Sequence, residues 1–237
     1  MKTQTISFDI RENYDNYYDG SSQWRGLAAA DSVDHILAAC SKYPHGRVLD
    51  IGSGEGAVLE RLSDIKFCDA LYSLEVSKSG LEAIRARKIG SLAEAKLFDG
   101  YAVPYEDKAF DLAILSHVVE HLEFPRILLY EAARVARYVF IEVPLEDTMR
   151  FKRDYVPGPI GHINPYSYKT IRRLAQTSRL EVLSQALANI SYQMYEYQYG
   201  RKAALRYLPK EALLRIMPVM AARFFGYNCY LLCRSLA

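Results

Sequence analysis

Between residues 46 and 143, short apolar runs alternate with amphipathic stretches, the pattern of a parallel sheet wound with crossover helices. The runs predict strands at 47–51, 70–75, 95–98, 110–115 and 138–143. The stretches between them predict helices at 57–62, 78–87 and 124–136, the last with Leu128, Ala132 and Val135 on one face. Right-handed crossovers then gather the loops that follow the strands at the carboxyl edge of the sheet. Before this region a helix is predicted at 27–40, and the polar, aromatic residues 14–24 form a loop or short helix. Beyond it, residues 144–165 are irregular, punctuated by Pro157, Gly158, Pro159 and Gly161. A helix at 166–178, a sixth strand at 180–187 and a seventh at 227–233 complete the pattern.

The last two strands are separated by residues 189–226, a long stretch where a short hairpin loop would serve. Five tyrosines (Tyr192, Tyr195, Tyr197, Tyr199, Tyr207) lie in it, and seven basic residues from Arg201 to Arg234 lie in or beside it. We read it as a helical lid. The expected fold class is α/β: a doubly wound, mostly parallel seven-stranded sheet with helices on both faces and a helical insertion between strands six and seven.

Half of the 237 residues are apolar, and 30 Lys and Arg against 28 Asp and Glu leave a net charge of +2. That balance excludes a disordered chain, a collagen-like repeat and a mucin-like stalk. Residues 1–10 lack the apolar run of a secretory signal, and no 18-residue stretch is free of charge, so a cytoplasmic protein is expected. Cys40, Cys68, Cys229 and Cys233 have neither the density of a disulfide scaffold nor the spacing of a zinc site, and read as buried free thiols. The charge is unevenly spread. Residues 1–150 carry 17 basic and 24 acidic side chains (−7), residues 151–237 carry 13 and 4 (+9), and a basic region attracts an anionic partner.

Residues 48–56 (VLDIGSGEG) follow the first strand and open a helix, where glycines let backbone approach a nucleotide. The spacing is G-x-G-x-G rather than the dinucleotide G-x-G-x-x-G. Asp50, at the end of the strand, would repel a pyrophosphate and suits a positively charged cofactor such as S-adenosylmethionine. Glu75, ending the second strand, can accept from both ribose hydroxyls, and Asp99, after the third, from an adenine amino group.

With LEVS (74–77), FDG (98–100), VPYEDKAFDLAILSHVVEH (103–121) and FIEVP (140–144), the sequence resembles the class I, seven-stranded S-adenosylmethionine-dependent methyltransferases. The resemblance implies that Asp50, Gly52, Ser53, Gly54 and Gly56 meet the methionine end of the cofactor. It also implies that Glu75 and Val76 hold the ribose, Asp99 and Gly100 the adenine, and that Ser116 and His117 flank the sulfonium. One domain is then expected over 1–237, with a cap (1–44), a cofactor-binding core (45–188), the lid (189–226) and the last strand (227–237).

Methyl transfer from a sulfonium needs alignment of the nucleophile and sometimes a base. His117, Glu120 and His121 follow strand four, and His162 lies in the loop after strand five. His117, His121 and His162 are the candidate catalytic residues. Tyr14, Tyr17, Tyr18 and Trp24 are candidates to cover the cofactor, and Arg25 to pair with its carboxylate. The expected acceptor is an O or N atom of a small-molecule or lipid- or sugar-linked molecule, amphipathic or anionic in character. No metal and no nucleic-acid partner is expected. Residues 212–225 combine apolar side chains with Arg215 and Arg223, are kinked by Pro218, and can lie on the inner face of an anionic membrane. Two alternatives stand beside this reading. One is a zinc hydrolase built on H-x-x-E-H, with the imidazoles of His117 and His121 on one helical face; the other is a non-catalytic S-adenosylmethionine binder.

Overall fold

The computed structural model describes residue 18, residues 23–149, residue 151 and residues 161–237. Tyr14, Tyr17, Pro157, Gly158 and Pro159 lie outside the described residues. The chain enters through α1 (Gln23–Cys40) and builds β1 (Arg47–Ile51), α2 (Ala57–Asp64), β2 (Ala70–Glu75), α3 (Lys78–Ala86) and β3 (Leu92–Leu97). Then come β4 (Phe110–Ser116), α4 (Pro125–Val135), β5 (Ala136–Pro144), α5 (Tyr168–Gln176) and β6 (Leu180–Ala188). The insertion holds α6 (Tyr192–Tyr199), α7 (Ala203–Ile216) and α8 (Pro218–Phe224), and β7 (Asn228–Ser235) closes the sheet.

Seven strands stand in the order β3-β2-β1-β4-β5-β7-β6. The first five run parallel, and β7 slots antiparallel between β5 and β6. Side chains alternate across each strand, so the two faces have separate cores. Leu49, Leu74, Ala113 and Ile141 meet Leu128 and Ala132 of α4 and Ile171 and Leu174 of α5. On the other face Val48, Leu71, Ile114 and Phe140 meet Ile36 of α1, Leu59 and Leu62 of α2, and Ile84 of α3. This is the doubly wound sheet that the periodicity predicted.

Two differences have local causes. β3 begins at Leu92, earlier than predicted, because an edge strand (LAEAKL) alternates apolar with charged residues and offers only a thin apolar run. Pro218 does not kink a continuous helix. α7 ends at Ile216 and Pro218 is the first residue of α8, where its missing N–H leaves no bond unmade.

Within the insertion the tyrosines pack on one another, Tyr192 against Tyr207 at 5.5 Å and Tyr195 against Tyr207 at 5.4 Å between ring centroids. Leu214, Ala221 and Ala222 face the core, while Leu205 (77% exposed), Leu208 and Ile216 (76%) face outward. No helix among the described residues is long and apolar enough to cross a membrane.

Candidate functional site

The loop between β1 and α2 takes a path that side chains resist. Gly52, Gly54 and Gly56 have φ of +80°, +57° and +81°, a region that costs a residue with a Cβ on the order of 1 kcal/mol. The loop is pinned to β2, for the amides of Gly52 and Ser53 both donate to the Leu74 carbonyl, at 2.7 and 3.2 Å. Space is short as well: a Cβ on Gly52 would come within 2.7 Å of the Val118 side chain.

Two carboxylates flank this loop. Asp50 is 3% exposed, and burial pushes its carboxyl up to about 7, with the Ser53 hydroxyl opposing and the Glu75 charge adding. Glu75, equally buried, is also pushed upward by burial, against the amides of Ser77 and Gly54 that hold it ionised. Those amides donate to its two oxygens at 3.0 and 2.7 Å. A carboxylate has about four lone-pair directions, so acceptor capacity remains.

These groups border two adjoining cavities. The larger, about 410 Å³, runs from Asp50, Gly52, Ser53 and Gly54 to Ser116, His117, His121 and His162, and Tyr18, Trp24 and Arg25 complete its wall. Ile190, Met194 and Gln198 close it from the insertion. The smaller, about 80 Å³, lies between Glu75, Val76, Phe98 and Gly100, and shares Tyr18, Gly52, His117 and His121 with the first.

The histidine end is organised by three carboxylates. His117 sits at the end of β4 with φ +55°, a strained conformation for a residue with a side chain. Its Nδ1 lies 3.3 Å from Glu120 Oε1 and its Nε2 3.9 Å from Glu142 Oε1. Burial disfavours the imidazolium, but the bond to Glu120 and the charges of Glu142, Glu120 and Glu146 outweigh it and push His117 up to about 9. His121, lowered chiefly by burial, prefers the neutral form. His162 Nδ1 pairs with Glu146 at 2.8 Å, which raises its affinity for a proton against the cost of burial. The two rings meet edge to face, centroids 4.8 Å apart.

Behind them, fully buried Glu142 bridges elements: its Oε1 takes His35 Nδ1 of α1 at 2.6 Å, and its Oε2 the Ser116 hydroxyl at 2.8 Å. The Ser116 hydroxyl also lies 3.1 Å from the Ser32 hydroxyl of α1. The helix that roofs the cavity is thus tied to the strands that floor it.

A methyltransferase domain family matches residues 23–185, more than half of the chain. The chain belongs to that family. No curated protein sequence matches it. Among solved structures, the methyltransferase domain is similar to the [4+2]-cyclase SpnF (18% identity, 92% of this chain and 85% of that one, TM-score 0.63). It is similar to coclaurine N-methyltransferase bound to N-methylheliamine and SAH (17%, 88% and 73%, TM-score 0.61). A third is phosphoethanolamine N-methyltransferase 2 of Haemonchus contortus, in complex with phosphomonomethylethanolamine and S-adenosylhomocysteine (14%, 98% and 61%, TM-score 0.63). The resemblance drawn from the motifs holds, and the cofactor of this family is S-adenosylmethionine.

Most of the residues singled out in the sequence of this methyltransferase domain meet around the two cavities. Gly56 and Asp99 line neither. Gly56 starts α2 behind the loop, and Asp99 is exposed, its Oδ1 accepting from the amides of Tyr101 and Ala102 at 2.8 and 2.7 Å. Arg25 Nε is engaged by Glu55 at 2.7 Å. The helical face invoked for H-x-x-E-H does not exist: His117 is left-handed and residues Val119–His121 form one 3-10 turn, so His117 and His121 are not a helical pair. Sequence reasoning passed over three residues. Glu142 is a carboxylate inside an apolar strand, FIEVP, which is itself a signal. Gly80 had none: a Cβ there would lie 2.8 Å from the Gly54 carbonyl and 2.9 Å from Glu75. Glu146, partner of His162, falls in a stretch without periodicity.

Proposed function

We propose that the chain transfers the methyl group of S-adenosylmethionine to an O or N atom of a small-molecule or lipid- or sugar-linked acceptor. The observation that carries this is the sharing of walls between two cavities. The smaller, flanked by Glu75, suits the ribose and adenine, and Asp50 in the larger suits the ammonium beside the reacting sulfonium. The histidine end of the larger cavity then receives the acceptor. The nucleophile's lone pair attacks the methyl carbon in line, the S–CH3 electron pair returns to sulfur, and S-adenosylhomocysteine leaves as a neutral thioether. The enzyme's share is alignment and removal of the nucleophile's proton. Because similar folds include a [4+2]-cyclase, the choice of reaction rests on the site rather than on the fold.

Calorimetric titration with S-adenosylhomocysteine tests the cofactor half. Wild type is expected to bind one equivalent, and Asp50→Ala or Glu75→Ala to lose about 10- to 100-fold, the equivalent of ~1.5–3 kcal/mol for a charged hydrogen bond. Unchanged affinity in both variants overturns the assignment. His162→Ala is expected to lower turnover more than cofactor affinity.

An amphipathic acceptor at an anionic membrane is favoured by the outer face of the insertion, which we read as a lid. Leu205, Leu208, Ala212 and Ile216 recur at helical spacing and are exposed, beside exposed Arg206 and Arg215. The cytoplasmic location, peripheral on the inner membrane face, belongs to this reading.

A further inference from the structure

Glu120, His121 and His162 each offer a ligand atom, and these atoms lie within 4.8 Å of one another. Ligands bound to one ion at about 2.1 Å stand about 3.0–3.4 Å apart at octahedral and tetrahedral angles, so the widest pair of the trio closes by about 1.5 Å when the ion binds. A second observation points to a ligand. Glu120 is fully buried, its Oε1 faces His117, and its Oε2 has no hydrogen-bond partner among the described residues. A buried carboxylate oxygen left bare carries the full cost of its lost hydration, and a cation would satisfy it.

We propose that Glu120, His121 and His162 hold a divalent first-row transition cation whose open positions face the larger cavity. Two imidazoles and one carboxylate are a donor set for such ions, with coordination sites left over for substrate. The surroundings fit: His162 is held through Nδ1 by Glu146, the kind of outer contact that fixes the tautomer of a ligating imidazole. The loop is anchored to the same turn, since the amides of Ile163 and Asn164 both donate to the Glu120 carbonyl at 3.0 Å. His121 and His162 line the cavity, so the ion would meet an acceptor there.

The inference rests on the methyltransferase reading for its consequence, which is a choice between O and N. A coordinated amine has spent its one lone pair, whereas a coordinated alkoxide or phenolate oxygen keeps others. The acceptor is therefore a hydroxyl compound: on binding, the ion lowers the hydroxyl's pKa and its proton leaves to solvent. A remaining oxygen lone pair forms O–CH3 while the S–CH3 pair goes to sulfur. His121 and His162 then serve as ligands rather than as bases.

Chelator-treated protein titrated with Co2+ alone, followed by visible absorption and calorimetry, tests the site. Wild type is expected to bind one equivalent with a d–d band. His162→Ala and Glu120→Gln are expected to weaken binding by about tenfold or more, and Glu146→Gln, a positioning residue, by about tenfold. No band in wild type, or unchanged cobalt affinity in His162→Ala with an unchanged circular-dichroism spectrum, overturns the proposal; His162→Gln, which keeps a polar side chain in the loop, is the second variant. S-adenosylhomocysteine titrated into the same samples separates the two readings. Cobalt without cofactor binding sinks the methyltransferase role and leaves the metal site standing. Cofactor without cobalt binding sinks the metal site alone.

Discussion

Gly80 and Asp50 make opposite demands on a residue replacement. In the first turn of α3, Gly80→Ala should gain roughly 1 kcal/mol of helix propensity. Instead its methyl would press on the Gly54 carbonyl and on Glu75, backbone and buried carboxylate that cannot swing aside. The expected result is weaker S-adenosylhomocysteine binding with an unchanged helical circular-dichroism signal. For Asp50 the prediction is in pH. Its folded-state value, about 7, lies above the ordinary 3.8, so the carboxyl's contribution to stability is full below that ordinary value and is lost as pH rises through about 7. A cationic ligand prefers the ionised form. Affinity for S-adenosylmethionine should therefore rise as pH climbs through about 7, by up to about tenfold per unit, and Asp50→Asn should flatten the profile.

Among the elements, α1 and β5 are joined through a buried carboxylate. Glu142 is fully buried between His35 and Ser116. Burial would raise its carboxyl, but His35 and the charges of His117 and His35 hold it at about 2. Its stabilising contribution is present above pH 4.5 and is lost as pH falls towards about 2. Glu142→Ala should cost about 3–5 kcal/mol in urea unfolding, the penalty for stranding a buried partner. This link was illegible in the sequence because it joins residues 107 apart. β1 and β2, by contrast, were legible to the residue, because both are buried apolar runs bounded by turns. The candidate site divides the same way. The glycine loop, Asp50 and Glu75 announce themselves locally, since strand ends and φ-demanding turns leave a mark on residue type. The pairing of His162 with Glu146, and of Glu120 with His121 and His162, depends on how a non-periodic loop folds back.

For the molecule as a whole, the split of −7 and +9 along the chain puts positive charge where the insertion lies. Co-sedimentation is expected with vesicles rich in phosphatidylglycerol and not with pure phosphatidylcholine. Leu205→Glu with Leu208→Glu should abolish it while leaving S-adenosylhomocysteine affinity intact. Vesicle-independent behaviour removes the membrane reading without touching the catalytic one.

Ala188 and Asn228, where the insertion leaves and rejoins the sheet, face each other in the β6–β7 register. The insertion therefore leaves and rejoins the sheet at one point, so lengthening its exposed turns costs only loop entropy, about 0.6 kcal/mol for each doubling, as long as Leu214, Ala221 and Ala222 keep their place in the core. The wall of the larger cavity is thus drawn from two tracts: the glycine loop, His117, His121 and His162 come before Ala188, and Ile190, Met194 and Gln198 after it. Changes between Ala188 and Asn228 are expected to reshape one wall of that cavity while leaving the glycine loop and Glu75 in place.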